Sequence, residues 1–161
     1  MNSTGTTESI RSDPRPPGSF RLPRLEHARV EDAMRPGVIS VPSETSLRDV
    51  ARMLSTRHIH CLVVTDSADL ETATTWGLIS SFDLVLATVE GGAESFEERT
   101  AGELASATPP VVSGSDSLDR AVQLMVRHGA EHLLVVGAED GRPVGVLSTL
   151  DITGVMGWGE A

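Results

Sequence analysis

The sequence repeats itself, and this internal repeat constrains the fold more than any other feature. Residues 41–47 align with residues 112–118 at an offset of 71. Further along, residues 76–84 align with residues 144–152 at an offset of 68. The difference of three residues falls in the stretch between the two segments, where a loop tolerates insertion. The chain is therefore predicted to contain two copies of one small fold.

The first aligned segment of each copy leads into a predicted amphipathic helix. Apolar residues recur there at the i, i+3, i+4 and i+7 positions of a helical stripe. They are Leu47, Val50, Ala51 and Leu54 in copy one, and Leu118, Ala121, Val122 and Met125 in copy two. We expect Ser46 and Asp116 to cap these helices. Asp49 and Asp119 would then lie near the positive helix ends.

Short apolar runs after each helix predict buried strands at residues 61–64 and 133–136. A turn and a return strand follow each of them, and the Asp-Gly pair at residues 140–141 favours a tight hairpin. Apolar helices close the copies, at about residues 82–89 and 150–156. Each copy thus reads strand, helix, strand, strand, helix, and the predicted fold class is α/β (α+β).

The remaining segments suggest where the repeats begin and end. Proline and arginine recur in the N-terminal segment, which has neither helical nor strand periodicity. Gly91 and Gly92, followed by an acidic run, predict a connection, and Thr100 with Glu103 predicts a capping box. The predicted division is a disordered N-terminal tail (1–29), repeat 1 (30–90), a linker (91–99), repeat 2 (100–157) and a C-terminal tail (158–161).

Composition excludes several functional classes. The net charge is -10, and all 13 basic residues are arginines without clustering, so neither nucleic acid nor an anionic membrane is an expected partner. No apolar run approaches the length of a membrane span. The single cysteine, Cys61, excludes a disulfide framework and is typical of a reducing compartment. We therefore expect a cytoplasmic protein.

Three features together resemble the tandem CBS domain pair, or Bateman module, named after cystathionine β-synthase. They are the lead-in at residues 30–35, the Val-x-x-x-x-Ser-Leu segment, and the duplicated Gly-h-h-Ser-x-x-Asp, where h is apolar. The resemblance covers residues 30 to about 157. It implies two β-α-β-β-α units related by a pseudo-twofold axis, with two clefts between them. It also implies a sensor that commonly forms homodimers and binds AMP, ADP, ATP, S-adenosylmethionine or NAD-type molecules without a required cofactor.

The Ser-x-x-Asp pairs are the main candidate ligand-binding residues. They are Ser80 with Asp83 and Ser148 with Asp151. A carboxylate can accept from both hydroxyls of a ribose, and the serine hydroxyl can donate to a phosphate beside a helix N-terminus. In similar family members these residues contact ribose and phosphate. The alternative is that each pair is only a helix cap.

By family resemblance, the turn after each first helix lines a cleft. Arg57, His58, Arg127 and His128 would then meet phosphates. Ile39 or Val111 would flank the base. The alternative is that Arg and His here only complement the negative end of a helix.

Histidine and cysteine also suggest a metal site, since both are good zinc ligands. The spacing His58-x-His60-Cys61 argues against it, because alternate strand residues face opposite ways. Cys61 is better explained as a small core residue.

The sequence offers no catalytic motif of the phosphate-loop, serine-elbow or zinc-protease type, and it contains no lysine for a Schiff base. We therefore expect a stand-alone regulatory, energy-sensing protein with an unknown protein partner, not an enzyme. The scarcity of cations favours AMP, an adenosyl compound or a dinucleotide over ATP. Two alternatives remain: an interaction module with empty clefts, and a histidine-based metal-binding protein.

Overall fold

The computed structural model describes residue 25 and residues 27–158. Most of the predicted N-terminal tail, and the predicted tail beyond residue 158, lie outside the described residues. The helices in the described part are α1 (Val30–Ala33), α2 (Leu47–Arg57), α3 (Ser81–Glu98), α4 (Ala101–Leu104), α5 (Leu118–His128) and α6 (Thr149–Trp158). The strands there are β1 (Arg35–Pro36), β2 (Ser40–Pro42), β3 (Cys61–Thr65), β4 (Trp76–Ser80), β5 (Val111–Ser113), β6 (His132–Val136) and β7 (Pro143–Ser148). None of these helices has the length and hydrophobicity of a membrane span.

The strands form two sheets that follow the same plan. In repeat 1 the order is β2-β3-β4, with β2 parallel and β4 antiparallel to β3. In repeat 2 the order is β5-β6-β7, with β5 parallel and β7 antiparallel to β6, and β1 adds a fourth strand beside β7. This mixed α/β architecture with two related units confirms the predicted fold class.

Each repeat has its own apolar core, and a third cluster joins the two sheets. The predicted helical stripes are buried, with Leu47 and Leu118 both fully inaccessible at the start of α2 and α5. Val63, Leu78 and Leu134 form the cluster between the sheets. Because the cores are mostly local, the relative placement of the repeats depends on this shared cluster and on the segments that cross between them.

The lead-in segments of the two repeats are exchanged. The Val30 amide donates to the Asp116 carbonyl at 2.9 Å, so α1 lies against repeat 2 although it precedes repeat 1 in the chain. The Ala101 amide donates to the Thr45 carbonyl at 2.7 Å, so α4 lies against repeat 1. Each repeat is therefore completed by a segment that leads into the other.

The packed structure begins before the predicted boundary at residue 30. Leu25 is only 4% exposed and belongs to the core of repeat 2. The Leu118 amide donates to the Ala28 carbonyl at 2.9 Å, and the Arg29 side chain donates to the Ser115 carbonyl at 2.7 Å. The prediction of a tail extending to residue 29 is wrong for these residues, because one buried leucine in a proline-rich segment is too weak a pattern to predict packing.

Two glycines of the repeated motif make room for the exchanged segments. A Cβ on Gly145 would lie 2.6 Å from the Arg35 carbonyl oxygen, and a Cβ on Gly77 would lie 2.8 Å from the Ser106 carbonyl oxygen. Gly145 pairs with Pro36 in the β1-β7 ladder, and Leu78 bridges to Ser106. The glycine is therefore required because a neighbouring backbone crosses each return strand.

The cap of the first amphipathic helix is as predicted, and that of the second is shifted by one residue. Ser46 Oγ accepts from the Asp49 amide at 3.1 Å. In repeat 2 the cap is Ser117, whose Oγ accepts from the Arg120 amide at 3.2 Å. The prediction of Asp116 was wrong because the cap must immediately precede the first helical residue. The Asp116 carboxylate instead accepts from the Ser113 amide at 3.0 Å.

Helix α3 is longer than the sequence predicted. We expected it to end near Val89, and it continues to Glu98 through the segment interpreted as a linker. Phe96 is partly buried against the core of repeat 1, and Glu97 forms an ion pair with Arg48. These contacts with repeat 1 stabilise a helical continuation that the glycine pair had argued against.

Candidate functional site

Both Ser-x-x-Asp pairs form capping boxes at the start of a helix. In repeat 1 the Asp83 carboxylate accepts from the Ser80 amide and from its hydroxyl, both at 2.7 Å, through the same oxygen, Oδ2. The Asp83 amide donates back to Ser80 Oγ at 3.2 Å. The capping role that we kept as an alternative is therefore present in the structure.

The second pair repeats this geometry. Asp151 Oδ2 accepts from the Ser148 amide at 2.8 Å and from its hydroxyl at 2.6 Å. The Asp151 amide donates to Ser148 Oγ at 3.2 Å. In both copies the one hydroxyl proton of the serine is used within the cap, so donation to a phosphate would require that bond to break.

Capping leaves acceptor capacity on each aspartate. A carboxylate has about four lone-pair positions, and the cap uses those of Oδ2. Asp151 Oδ1 lies 3.6 Å from Nε of Arg35, which comes from the exchanged lead-in. Among the described residues, no ion pair reaches Asp83. The outer oxygen of each carboxylate therefore remains able to accept from a ligand.

Cleft A lies between the repeats beside Asp151 and has a volume of about 530 Å³. It is lined by residues 35–39, Ile59, His60, Cys61, Ser81, Glu131, His132, Val146 and residues 148–151. The Thr149 amide donates to the Glu131 carbonyl at 3.0 Å, which fixes the start of α6 against the turn before β6. A volume in this range accommodates a small-molecule ligand.

Cleft B lies beside Asp83 and has a volume of about 410 Å³. It is lined by Cys61, Leu78, Ser80, Phe82, Asp83, Ser106, residues 108–110 and residues 128–132. The Ser81 amide donates to the His60 carbonyl at 2.9 Å, matching the bond that fixes α6 in the other copy. The two clefts are therefore built by equivalent parts of the two repeats.

The structure brings together six of the ten candidate site residues. Cleft A contains Ile39, Ser148 and Asp151. Cleft B contains Ser80, Asp83 and His128.

The other four candidates, Arg57, His58, Arg127 and Val111, line neither cleft. For the three candidates at the helix ends, the reason is the reversal that follows each helix. The C-cap residues His58 and Gly129 have left-handed φ values of 52° and 59°. Each reversal directs the chain away from the last helical turn. The clefts are therefore lined mainly by the residues that follow the reversal.

Three side chains line both clefts: Cys61, Glu131 and His132. Burial lowers the pKa of His132, with an additional contribution from nearby His60, while Glu131, Asp151 and Asp83 oppose this shift. Burial also raises the pKa of Cys61 to about 12, with a further contribution from the Asp83 charge. At neutral pH the shared wall therefore holds a protonated thiol, which is a poor nucleophile and a poor metal ligand.

Sequence reasoning named Arg35 as a plausible cation for the ligand but missed two residues of cleft B, Pro110 and Ser106, that the internal alignment could have found. Pro110 is equivalent to Ile39 at the offset of 71, and it lines cleft B in place of the predicted Val111. At the same offset Arg35 is equivalent to Ser106, and each lines one cleft. Strict application of the repeat register to both clefts would have identified these residues.

The metal hypothesis has no structural support in the part of the chain that is described. No group of three or more His, Cys, Asp or Glu residues is arranged there to hold a metal ion. His60 and Cys61 both line cleft A, but no further ligand completes a site with them.

Comparison with known proteins identifies the repeats. The family model of the CBS domain matches residues 30–90 and 101–157. A search of the curated proteins finds no match.

Solved structures share the fold. CBSX2 in complex with AMP is 26% identical, with a TM-score of 0.62 over 80% of this chain and 95% of that chain. The CBS domain protein PAE2072 from Pyrobaculum aerophilum, complexed with AMP, is 25% identical, with a TM-score of 0.66 over 77% of this chain and 89% of that chain. The CBS domain pair of MJ0100, in complex with 5′-methylthioadenosine and S-adenosyl-L-methionine, is 20% identical, with a TM-score of 0.70 over 83% and 98% of the two chains.

Proposed function

Because this chain belongs to the CBS domain family, which matches it twice in tandem, we propose that it binds an adenosine-containing ligand in clefts A and B. The observation that carries this proposal is the outer oxygen of each capping aspartate. Asp83 and Asp151 both use Oδ2 for the cap, and Oδ1 retains acceptor capacity although that of Asp151 also lies 3.6 Å from Nε of Arg35. Two similar structures, at 25% and 26% identity, hold AMP, which supports a ligand of this class.

Ribose is the part of the ligand that we assign to the aspartates. Its two neighbouring hydroxyls are donors, and a carboxylate accepts from such donors more strongly than a neutral group does. Both aspartates are partly buried and held in place by the cap, so little ordering is needed when the ligand binds. We assign the adenine to the apolar walls, which include Ile39 in cleft A and Pro110 in cleft B.

The charges of the lining residues favour a ligand with few phosphates. Arg35 is the one arginine that lines either cleft among the described residues. A triphosphate needs several cations or a metal to balance its charge. AMP, an adenosyl compound or a dinucleotide therefore fits better than ATP.

The role that follows is regulatory, and we place it in the cytoplasm. A ligand held between two repeats changes the equilibrium between their packing arrangements only if it binds those arrangements with different affinity. The thiol shared by both clefts has a pKa raised to about 12, so it is not suited to act as a nucleophile. A preference for AMP over ATP would make the chain an energy sensor for a protein partner.

A homodimer is the assembly that we propose. Helix α3 exposes an apolar stripe at i, i+3, i+4 and i+7, formed by Phe82, Val85, Leu86 and Val89. Helix α6 exposes Leu150, which is equivalent to Phe82 in the internal alignment. A surface that repeats about a pseudo-twofold axis suits pairing with a second copy of itself.

The ligand proposal is tested by thermal unfolding with AMP, ADP, ATP, NAD and S-adenosylmethionine. A ligand at a hundred times its Kd adds about 2.7 kcal/mol to the free energy of unfolding, which is easily detected. Asp83→Asn and Asp151→Asn keep an oxygen that can cap the helix while removing the charge. We expect each variant to lose about 1.5 to 3 kcal/mol of binding free energy at its own cleft.

Val126→Ala, at an exposed position outside both clefts, is the control and should bind as the wild type does. Absence of any stabilisation at millimolar ligand would overturn the proposal. It would favour the alternative of an interaction module whose clefts stay empty.

A further inference from the structure

Clefts A and B differ in charge at one equivalent position. Arg35 and Ser106 each come from an exchanged lead-in, and the carbonyl oxygen of each lies against the glycine of a return strand, Gly145 or Gly77. The two residues are thus structural counterparts, and each lines its own cleft. The backbone contact is the same in both repeats, whereas the side chain is a cation in cleft A and a neutral hydroxyl in cleft B.

The Arg35 guanidinium lies beside the capping aspartate of cleft A. Its Nε is 3.6 Å from Asp151 Oδ1, and the Asp151 side chain is only 11% exposed. The Arg35 side chain itself is 63% exposed and lines the cleft, so it remains accessible to a ligand. An arginine in this position can pair with an anionic group of a ligand whose ribose is held by Asp151.

Cleft B has no such cation among the described residues. Glu131 lines both clefts and is joined by one capping aspartate in each, Asp151 in cleft A and Asp83 in cleft B, so the clefts differ in charge by the Arg35 cation. Burial lowers the pKa of His132, so this imidazole is neutral at neutral pH. The potential in cleft B is therefore more negative than in cleft A, and it repels a phosphate while favouring an uncharged or cationic group.

The clefts also differ in volume and in the apolar residues of their walls. Cleft B is the smaller, at about 410 Å³ against about 530 Å³. Phe82 and Pro110 stand where cleft A has Leu150 and Ile39. A rigid aromatic and proline wall suits a compact ligand without a hydrated phosphate.

From these differences we infer that the two clefts take different adenosine ligands. Cleft A binds one with an anionic 5′ substituent, such as a nucleoside monophosphate. Cleft B binds one whose 5′ substituent is an uncharged thioether or a sulfonium cation. This inference rests on the proposed function, since it assigns ligand classes within the same pair of clefts. The chain would then read two chemical signals at once.

A reciprocal exchange of the two counterparts tests the inference by titration calorimetry with AMP and 5′-methylthioadenosine. The wild-type chain should bind one AMP, and saturating AMP should leave one site for 5′-methylthioadenosine. Arg35→Ser should weaken AMP binding about tenfold or more. Ser106→Arg should create a second AMP site and weaken the thioether ligand.

Arg35→Gln provides a second variant that retains hydrogen-bond donors, and a thermal melt checks that each variant is folded. Two equal AMP sites in the wild type, or full competition between the two ligands, would overturn the inference while leaving the proposed function in place. Absence of binding by either ligand would overturn both.

Discussion

A Cβ on Gly145 would lie 2.6 Å from the carbonyl oxygen of Arg35, so the two backbones lie too close together for any side chain at position 145. The crossing places Arg35 at the mouth of cleft A and holds β1 in the sheet of repeat 2. The same glycine thus serves both the fold and the ligand cleft.

Gly145→Ala should destabilise the protein by about 1 to 3 kcal/mol, because the new methyl group must displace a backbone carbonyl. Urea unfolding followed by circular dichroism measures the change. Gly154→Ala is the matched control, since a Cβ there meets nothing within 4 Å and alanine favours the helix. Equal stability of the two variants would show that β1 moves aside without cost.

Val89→Glu should convert a homodimer to a monomer, because it places a charge in the apolar stripe of α3. Val89 is 79% exposed in one chain, so the substitution itself should not unfold the protein. Sedimentation velocity measures the mass. Val126→Glu is the control, as Val126 is equally exposed at 78% but lies on α5. A wild-type chain that sediments as a monomer at high concentration would contradict the proposed assembly.

The stability of the protein should fall as the pH falls below about 6.5, because burial lowers the pKa of His132 from its ordinary value of 6.5. The unfolded chain then takes up a proton that the folded chain does not, so acid favours unfolding. Glu131, His60, Asp151 and Asp83 are the charged or titratable neighbours that influence this shift. At lower pH, protonation of carboxylates also changes the stability of the protein.

Urea unfolding at about pH 7.5 and about pH 5.5 measures this contribution. His132→Gln should lose less stability between the two values than the wild type. His128→Gln, at an exposed position, serves as the control and should behave as the wild type does. If His132→Gln loses as much stability between the two pH values as the wild type does, the pH dependence comes from other groups.

The repeat made the fold predictable from the sequence. Residues 76–84 and 144–152 share a pattern whose apolar positions, serine and aspartate form a strand and a helix cap, which are local structures. Such structures depend on neighbours in the chain. The capping boxes of Ser80 and Ser148 were accordingly predicted as one of two possibilities.

Features that depend on distant contacts were not predictable in this way. The exchange of α1 and α4 leaves no local pattern, since each helix contacts residues far away in the chain. The left-handed φ of 52° at His58 also escaped prediction, because a histidine at a helix end does not by itself indicate a reversal. That one reversal explains why Ile59 lines cleft A and Arg57 does not.

The exchanged lead-ins have a consequence for how such a protein can be divided. A cut between Glu98 and Ala101 would leave α1 on the half that contains repeat 1 and α4 on the half that contains repeat 2. Each helix would then be separated from the repeat against which it packs. Neither half is then a complete folding unit, and each carries the piece that the other lacks. Loss of either repeat would therefore remove part of the packed structure of both.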